Sequence, residues 1–491
     1  MNSHSASRRQ AGVCLHITSL PGPYGIGEIG EHAKAFIDSM QAMQLAVWQF
    51  LPLGPTAFGD SPYQPLSTFA GNELLVDIND LICNGFLEES EAHALTLLPH
   101  DSVDYGALIA AKLPLLRTAA NRFDYNASAA MKADFKDFKQ RHDQSWLHDY
   151  ALFRTLKTQH GERPWPEWQP QFVHRESAAL RAFEASNASD IAAIKIIQFL
   201  FFRQWQELRD YARAKDVQLF GDMPIYIALD SADAWANREI LRIDDDGKPD
   251  CVAGVPPDYF SADGQLWGNP LYDWDYHRAQ GFEWWIERLR AAMELTDIVR
   301  IDHFRGFEAY WAIPADAETA RQGSWEPGPG DALFDAARAA FGELPIVAED
   351  LGMITPEVEA LRARHHMPGM KVLQFAITDE QFDLSDIEEN CVCYTATHDN
   401  DTTVGWYTGD AEAIHIDLIQ AAFSTDAYLA IAPLQDYLGL GSEARMNMPG
   451  TAENNWRWRF VATQLDDSVC KDVSKMVQAS RRGRLAGSLS N

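Results

Sequence analysis

The sequence predicts an α/β fold: a (β/α)8 TIM barrel with large, mainly helical insertions at its C-terminal face and no C-terminal β-sandwich domain. Three observations carry this prediction. Eight short apolar runs recur, continuous rather than alternating, as strands buried on both faces of a parallel sheet should read. Helix-period segments lie between several of them. Polar residues capable of chemistry follow the runs, and in such a barrel the carboxyl ends of the strands hold the active site.

The first run, "GVCLHI", ends at Ile17 and leads into "TSLPGPYG". The second, "LAVWQFLPL", ends at Leu53 before "GPTAFGDSPYQ". "VQLFGDMP" carries Asp222, "DIVRIDHF" carries Asp302 and "LPIVAEDLG" carries Glu349. "MKVLQFAI" ends at Ile377, "CVCYTATHDND" carries His398 and Asp399, and "AYLAIAPLQ" at 427–435 supplies the last strand. Helices are expected at "EHAKAFIDSMQAM", at "FEWWIERLRAAME" and at "TPEVEALRARHH", where Thr355 is a candidate N-cap and Pro356 the first helical residue.

The spacing is uneven. Leu53 to Val217 is far too long for one crossover and holds strongly helical sequence. The expected organisation is a single catalytic barrel over 1–491, with a helical insertion at about 80–200 that rejoins the barrel through its last helix. A substrate-loop insertion is expected at about 230–295. There "DDDGKP" reads as a hairpin turn and the Pro, Gly and aromatic residues after it as an ordered functional loop. After residue 435 about one helix and a basic, small-residue tail remain.

Of 491 residues 46% are hydrophobic, enough for a large core. The formal charge is −30, from 71 acidic and 41 basic residues. Such a surface repels phosphate backbones and anionic membranes, so neither nucleic acid nor a membrane is expected as partner. The six cysteines are sparse, and the one close pair, Cys391 and Cys393, lies in an apolar run. They read as buried thiols in a reducing compartment. With no apolar stretch behind "MNSHSASRRQ", the expected location is the cytoplasm. Fifteen tryptophans serve either core packing or stacking on sugar rings; the count alone does not decide. "GIGEIG" at 25–30 matches a dinucleotide fingerprint, but "TSLPGPY" separates it from the strand and no acid ends the second run, so nicotinamide binding is not expected.

Asp302, Glu349 and Asp399 each end a predicted core strand, which places three acids at one barrel mouth. Side chains alternate along a strand, so Arg300 shares a face with Asp302 and favours its ionised form. Glu349 sits among apolar residues, where desolvation raises a carboxyl's pKa and suits it to donate a proton. One ionised and one protonated acid form the working pair of glycoside chemistry. Asp399 would hold sugar hydroxyls, with His398 donating to the same sugar. Asp350 should face away from Glu349, whereas Asp401 could share the face of Asp399. A metal reading uses Asp302, His303, Glu349, Asp350, His398 and Asp399 as oxygen and nitrogen ligands. Arg300 would compete with a cation there, and no H-x-H or H-E-x-x-H is present.

These residues stand in recognisable motifs: "LHITSLPGPYGIG", "DSPYQPLSTFAGN", "FGDMPIYIALDSADAWAN", "GVPPDYFSADGQLWGNPLYDW", "VRIDHFRGFEAYWAIP", "VAEDLG", "THDNDTTVGW" and "RMNMPG". With them the chain resembles the 4-alpha-glucanotransferases of glycoside hydrolase family 77, over nearly the whole barrel. The resemblance implies a retaining double displacement on α-1,4-glucans such as maltooligosaccharides, amylose and glycogen, without metal or organic cofactor. It implies Asp302 as nucleophile, Glu349 as general acid and then base, and Asp399 as transition-state stabiliser. Arg300 and His398 would support the sugar beside the scissile bond. Tyr63, Asp222, Asp258, Tyr259, Gln265 and Trp267 would bind sugars, with Asn447 as a further lining residue. The nucleophile and the acid should then lie about 5–5.5 Å apart. Transfer rather than hydrolysis needs water kept out, and the loops at 253–269 and "AFGDSPYQ" are the candidate lid. Ala396, Ile17, Leu229 and Arg238 depart from the family's usual residues, none of them an acid of the trio. An α-amylase-type retaining hydrolase using the same acids is the alternative, and a silent glucan-binding protein a more distant one. Oligomeric state is not legible.

Overall fold

The computed structural model describes residues 9–257, 262–409, 413–451 and 453–483. Among these residues twelve strands follow in chain order: β1 Gln10–Cys14, β2 Val47–Gln49, β3 Gln218–Met223, β4 Cys251–Val255, β5 Gln265–Pro270 and β6 Ile298–Ile301. Then come β7 Ala309–Pro314, β8 Ser324–Pro327, β9 Ile346–Ala348, β10 Gly369–Val372, β11 Cys391–Tyr394 and β12 Leu429–Pro433. Eight of them form one parallel sheet in the order β10-β11-β12-β1-β2-β3-β6-β9. The amide of Ala348 donates to Pro368 O at 2.8 Å and joins the two ends of that order. The eight barrel strands coincide with the eight apolar runs. β10 is shorter than its run: "MKV" pairs with β11, and Leu373–Ala376 turns into one helical turn.

Alternation along each strand divides the core. Val47, Phe220, Ile298, Val347, Val392 and Ile431 meet inside the barrel. Their neighbours Trp48, Leu219 and Cys393 face one outer helix layer, and Val299 and Ala348 another. Continued to the strand ends, the same alternation brings Asp222, Arg300, Asp302 and Glu349 onto the inner face. Each buried aliphatic of β6 contributes about 1.5–3 kcal/mol, which anchors the strand that carries the charged pair.

Between β2 and β3 the chain is helical, chiefly Tyr105–Asn126, Ala129–His142, His148–Gln159 and Ala188–Ala214. Asp104 and Ser128 cap the first two by accepting from Ala107 N and Met131 N. Their apolar faces share one core with β1, β2 and the helix Glu31–Met43. The expected helices at 283–295 and 356–364 are present, and Thr355 holds the N-cap position although its hydroxyl caps no amide. "DDDGKP" is the expected turn: Gly247 N, at φ 80°, donates to Asp244 O, and Asp244 N donates to Lys248 O, both at 2.9 Å. A second sheet, antiparallel and ordered β5-β4-β7-β8, was not expected. β4 and β7 pair across β6, while β5 and β8 each pair with the strand next to them in sequence; β5 and β8 are largely exposed, so no continuous apolar run marks them. Within "GIGEIG", Gly27 serves packing: a Cβ there would lie 1.9 Å from Ile17 O. Among the described residues the longest element after the last barrel strand is the helix Asp467–Ala479. Among the described residues no helix is long and apolar enough to cross a membrane.

Candidate active site

Asp222 ends β3 and stands in register with Arg300 on β6. The Arg300 guanidinium donates to both Asp222 oxygens at 2.7 Å, and its other nitrogen lies 2.8 Å from Asp302 Oδ1. Burial disfavours the charge on Arg300, but Asp222 and then Asp302 outweigh it and hold the group well above its ordinary range. Burial also pushes Asp222 toward the neutral form. Two short bonds from an obligate cation make the ion pair the prevailing state. Asp302 thus faces the cleft as an ion fixed from behind.

Glu349 follows β9. Its Oε2 accepts from His303 N at 2.7 Å and its Oε1 from Leu351 N at 2.8 Å. Burial raises its carboxyl to about 7; Arg300 opposes this, and Asp302 adds to it. Glu349, raised in this way, therefore stands at the strand ends with Asp302, which is paired to Arg300. Asp350 turns outward as alternation requires, accepting from Met370 N at 2.7 Å and pairing with Arg362 at 3.2 Å. The six candidate metal ligands accordingly do not share one site.

Asp399 lies beyond β11, exposed to the cleft, and accepts from Asn447 Nδ2 at 2.6 Å. Asp401 instead accepts from Ser442 Oγ at 2.8 Å and does not line the cleft. Tyr63 joins the two halves of the site. Its hydroxyl donates to Asp222 at 2.8 Å and lies 2.8 Å from His398 Nε2. Because its single proton goes to Asp222, it accepts from His398, which is therefore protonated on Nε2. The two rings stack at 5.1 Å.

One cleft of about 760 Å³ runs over these groups. Tyr63, Gln265, Trp267, Arg300, Asp302, Glu349, His398, Asp399 and Asn447 all line it. Asp222 does not: its side chain is fully buried under Arg300 and Tyr63, so it supports those two rather than meeting a sugar. Asp258 and Tyr259 lie outside the described residues. Sequence reasoning missed Gln64, Tyr226, Asn269 and Trp456 on the cleft wall. Tyr226 stood inside the quoted "GDMPIY" stretch, whereas Trp456 belongs to no regular element. Arg445 was also missed; it donates to Asp399 O at 2.9 Å and Asn447 O at 2.8 Å, clamping the two segments together. Of the tryptophans, Trp48, Trp165, Trp205, Trp235 and Trp285 are core, whereas Trp267 and Trp456 face the cleft.

A parallel barrel with acids at the ends of its strands and an aromatic-lined cleft defines a barrel enzyme of glycan chemistry. The family model described as 4-alpha-glucanotransferase matches residues 15–463, and the chain belongs to that family. It is 47% identical to a 4-alpha-glucanotransferase of Synechocystis sp., covering 95% of this chain and 97% of that one. It is 45% identical to a 4-alpha-glucanotransferase of Thermus thermophilus, over 96% and 99%. The solved amylomaltase of Streptococcus agalactiae in complex with acarbose superposes with a TM-score of 0.93 at 36% identity, over 97% of this chain and all of that one. 4-alpha-glucanotransfer is the activity of the family and of this chain.

Proposed function

We propose that the chain moves a segment of an α-1,4-glucan to the 4-hydroxyl of an acceptor glucan or glucose, with retention, by two displacements at one cleft. The observation that carries this reading is the pairing of Asp302, fixed by Arg300, with Glu349, raised to about 7. Asp302 attacks the anomeric carbon while Glu349 gives its proton to the glycosidic oxygen, releasing the leaving glucan and forming a β-glucosyl-enzyme. Glu349, now a carboxylate, takes the proton of the acceptor 4-hydroxyl, whose oxygen displaces Asp302 and restores the α-linkage. Asp399, braced by Asn447, holds ring hydroxyls as charge develops, and His398 and Tyr63 flank the same sugar. The helical segment at about 80–200 and the insertion at about 230–295 frame the glucan. Trp267, Tyr226 and Trp456 support an acceptor site that excludes water. The six cysteines, all free, support a reducing compartment such as the cytoplasm.

Incubation with pure maltotriose tests the reading by following product sizes and total reducing ends. Transfer yields glucose and a ladder of longer glucans at constant reducing ends. A rising count of ends would replace it with α-amylase-type hydrolysis. Asp302→Asn should abolish turnover, and normal activity in that variant would remove Asp302 as nucleophile.

A further inference from the structure

His303 follows the residue assigned as nucleophile and adopts φ 52°, ψ 49°, the left-handed conformation that few non-glycine residues take. The chain reverses there, between β6 and the 3-10 turn Phe304–Phe307. The reversal turns two successive amides onto one residue of the neighbouring strand. His303 N donates to Glu349 Oε2 at 2.7 Å, and Phe304 N donates to Glu349 O at 3.1 Å. Glu349 N returns a bond to Ile301 O at 3.0 Å. Glu349 is thus grasped through its side chain, carbonyl and amide by His303, Phe304 and Ile301 at the end of β6 and just beyond it. The imidazole itself packs edge-on to Trp267, with ring centroids 4.9 Å apart.

We propose that the left-handed turn at His303 is a positioning device for the acid/base: its backbone, rather than its ring, sets Glu349 at a fixed place beside Asp302. The inference rests on Glu349 being the proton donor. A bond from an amide favours the ionised carboxylate, so losing it raises the pKa of Glu349 further. The charged groups facing Glu349 are Arg300 and Asp302 from β6, with His398 and Asp399 across the cleft. Asp350, on its own strand, is engaged by Arg362. None of these is altered by a substitution at 303.

The test compares His303→Gly with His303→Val. Both lack the imidazole, but glycine enters the left-handed region freely and a β-branched residue is an outlier there. With maltotriose as substrate, the glycine variant should keep the basic limb of the kcat/KM profile where the unmodified protein has it. The valine variant should move that limb up by about one pH unit and turn over at least tenfold more slowly than the glycine variant. With α-maltosyl fluoride, whose leaving group needs no proton, the gap between the two should shrink. Equal rates and equal limbs in the two variants would overturn the inference. If the valine variant does not fold by circular dichroism, His303→Ala takes its place and should fall between glycine and the full defect; alanine equal to glycine in both rate and limb would also overturn it. Glu349→Gln run alongside separates the two failures. Retained turnover of maltotriose in that variant removes the acid assignment itself, whereas its loss with indistinguishable 303 variants removes only the role of the turn.

Discussion

Replacing Arg300 by Lys keeps the charge and removes the geometry. The guanidinium reaches Asp222 with two bonds of 2.7 Å and Asp302 with one contact of 2.8 Å, from a side chain only 6% exposed. A single ammonium cannot span both carboxylates in that fork, so one charge-assisted bond is lost, worth about 1.5–3 kcal/mol. If the lost bond is the one to Asp302, the whole amount falls on the orientation of that carboxylate, the proposed nucleophile, and kcat drops about 10- to 150-fold. Lysine remains cationic, so the field at Glu349 persists and the basic limb of the pH profile stays in place. Arg300→Met removes the charge as well. Arg300 holds Glu349 down, so its loss raises that carboxyl and moves the basic limb upward. Asp222, left buried without a cation, should also cost about 3–5 kcal/mol of stability. Initial rates of glucose release from maltotriose between pH 5 and pH 9, with thermal melts, read all three effects. Lys at position 300 with undiminished kcat would refute the account of Asp302 as an aspartate held by Arg300. An unmoved limb in the Met variant would refute the electrostatic link to Glu349.

Three further outcomes follow from other contacts. Glu349 has a folded pKa raised to about 7 by burial, so the stability it contributes as a protonated group is present at low pH and lost as pH rises through about 7. Glu349→Gln, whose NH2 must face one of the two amide donors, removes this titration: its melting temperature should fall about 2–4 °C less between pH 5 and pH 8 than that of the unmodified protein, while its turnover is lost. Asn447→Ala removes the 2.6 Å bond to Asp399 and should lower kcat about 10- to 100-fold with KM for maltotriose changed far less, checked by steady-state kinetics. Arg482 is fully buried and donates to the carbonyls of Gln10, Phe423, Thr425 and Ala427, tying the C-terminal segment to β1. Arg482→Ala strands those acceptors and should lower stability by about 3 kcal/mol or more in denaturant melts, with kcat intact at 25 °C.

The barrel was legible because a parallel strand buried on both faces must be apolar throughout, and eight such runs have no other use in one chain. The same logic exposed the acids. A carboxylate at the end of "IVRI" or "IVA" has no reason to sit in a core strand unless it projects into the barrel mouth. Alternation alone then put Arg300 with Asp302 and turned Asp350 away from Glu349. Loop acids carry no such periodicity. Asp399 and Asp401 could not be separated until Asn447 and Ser442, more than forty residues on, were seen to take one each. Asp222 could be placed on a strand end, but only the packing of Tyr63 and Arg300 over it decided that it is buried beneath the cleft. The β4–β7 pairing that unites the second sheet, the Arg445 bond to Asp399 and Trp456 on the cleft wall depend on partners distant in sequence, and no local pattern encodes them. Sequence by itself determined which strands form the barrel and which acids stand at its mouth, because burial and strand period act residue by residue. Tertiary structure decided which acid is held charged, which is raised toward neutrality and which is sealed away, because those states depend on the groups that the fold brings within about 3 Å.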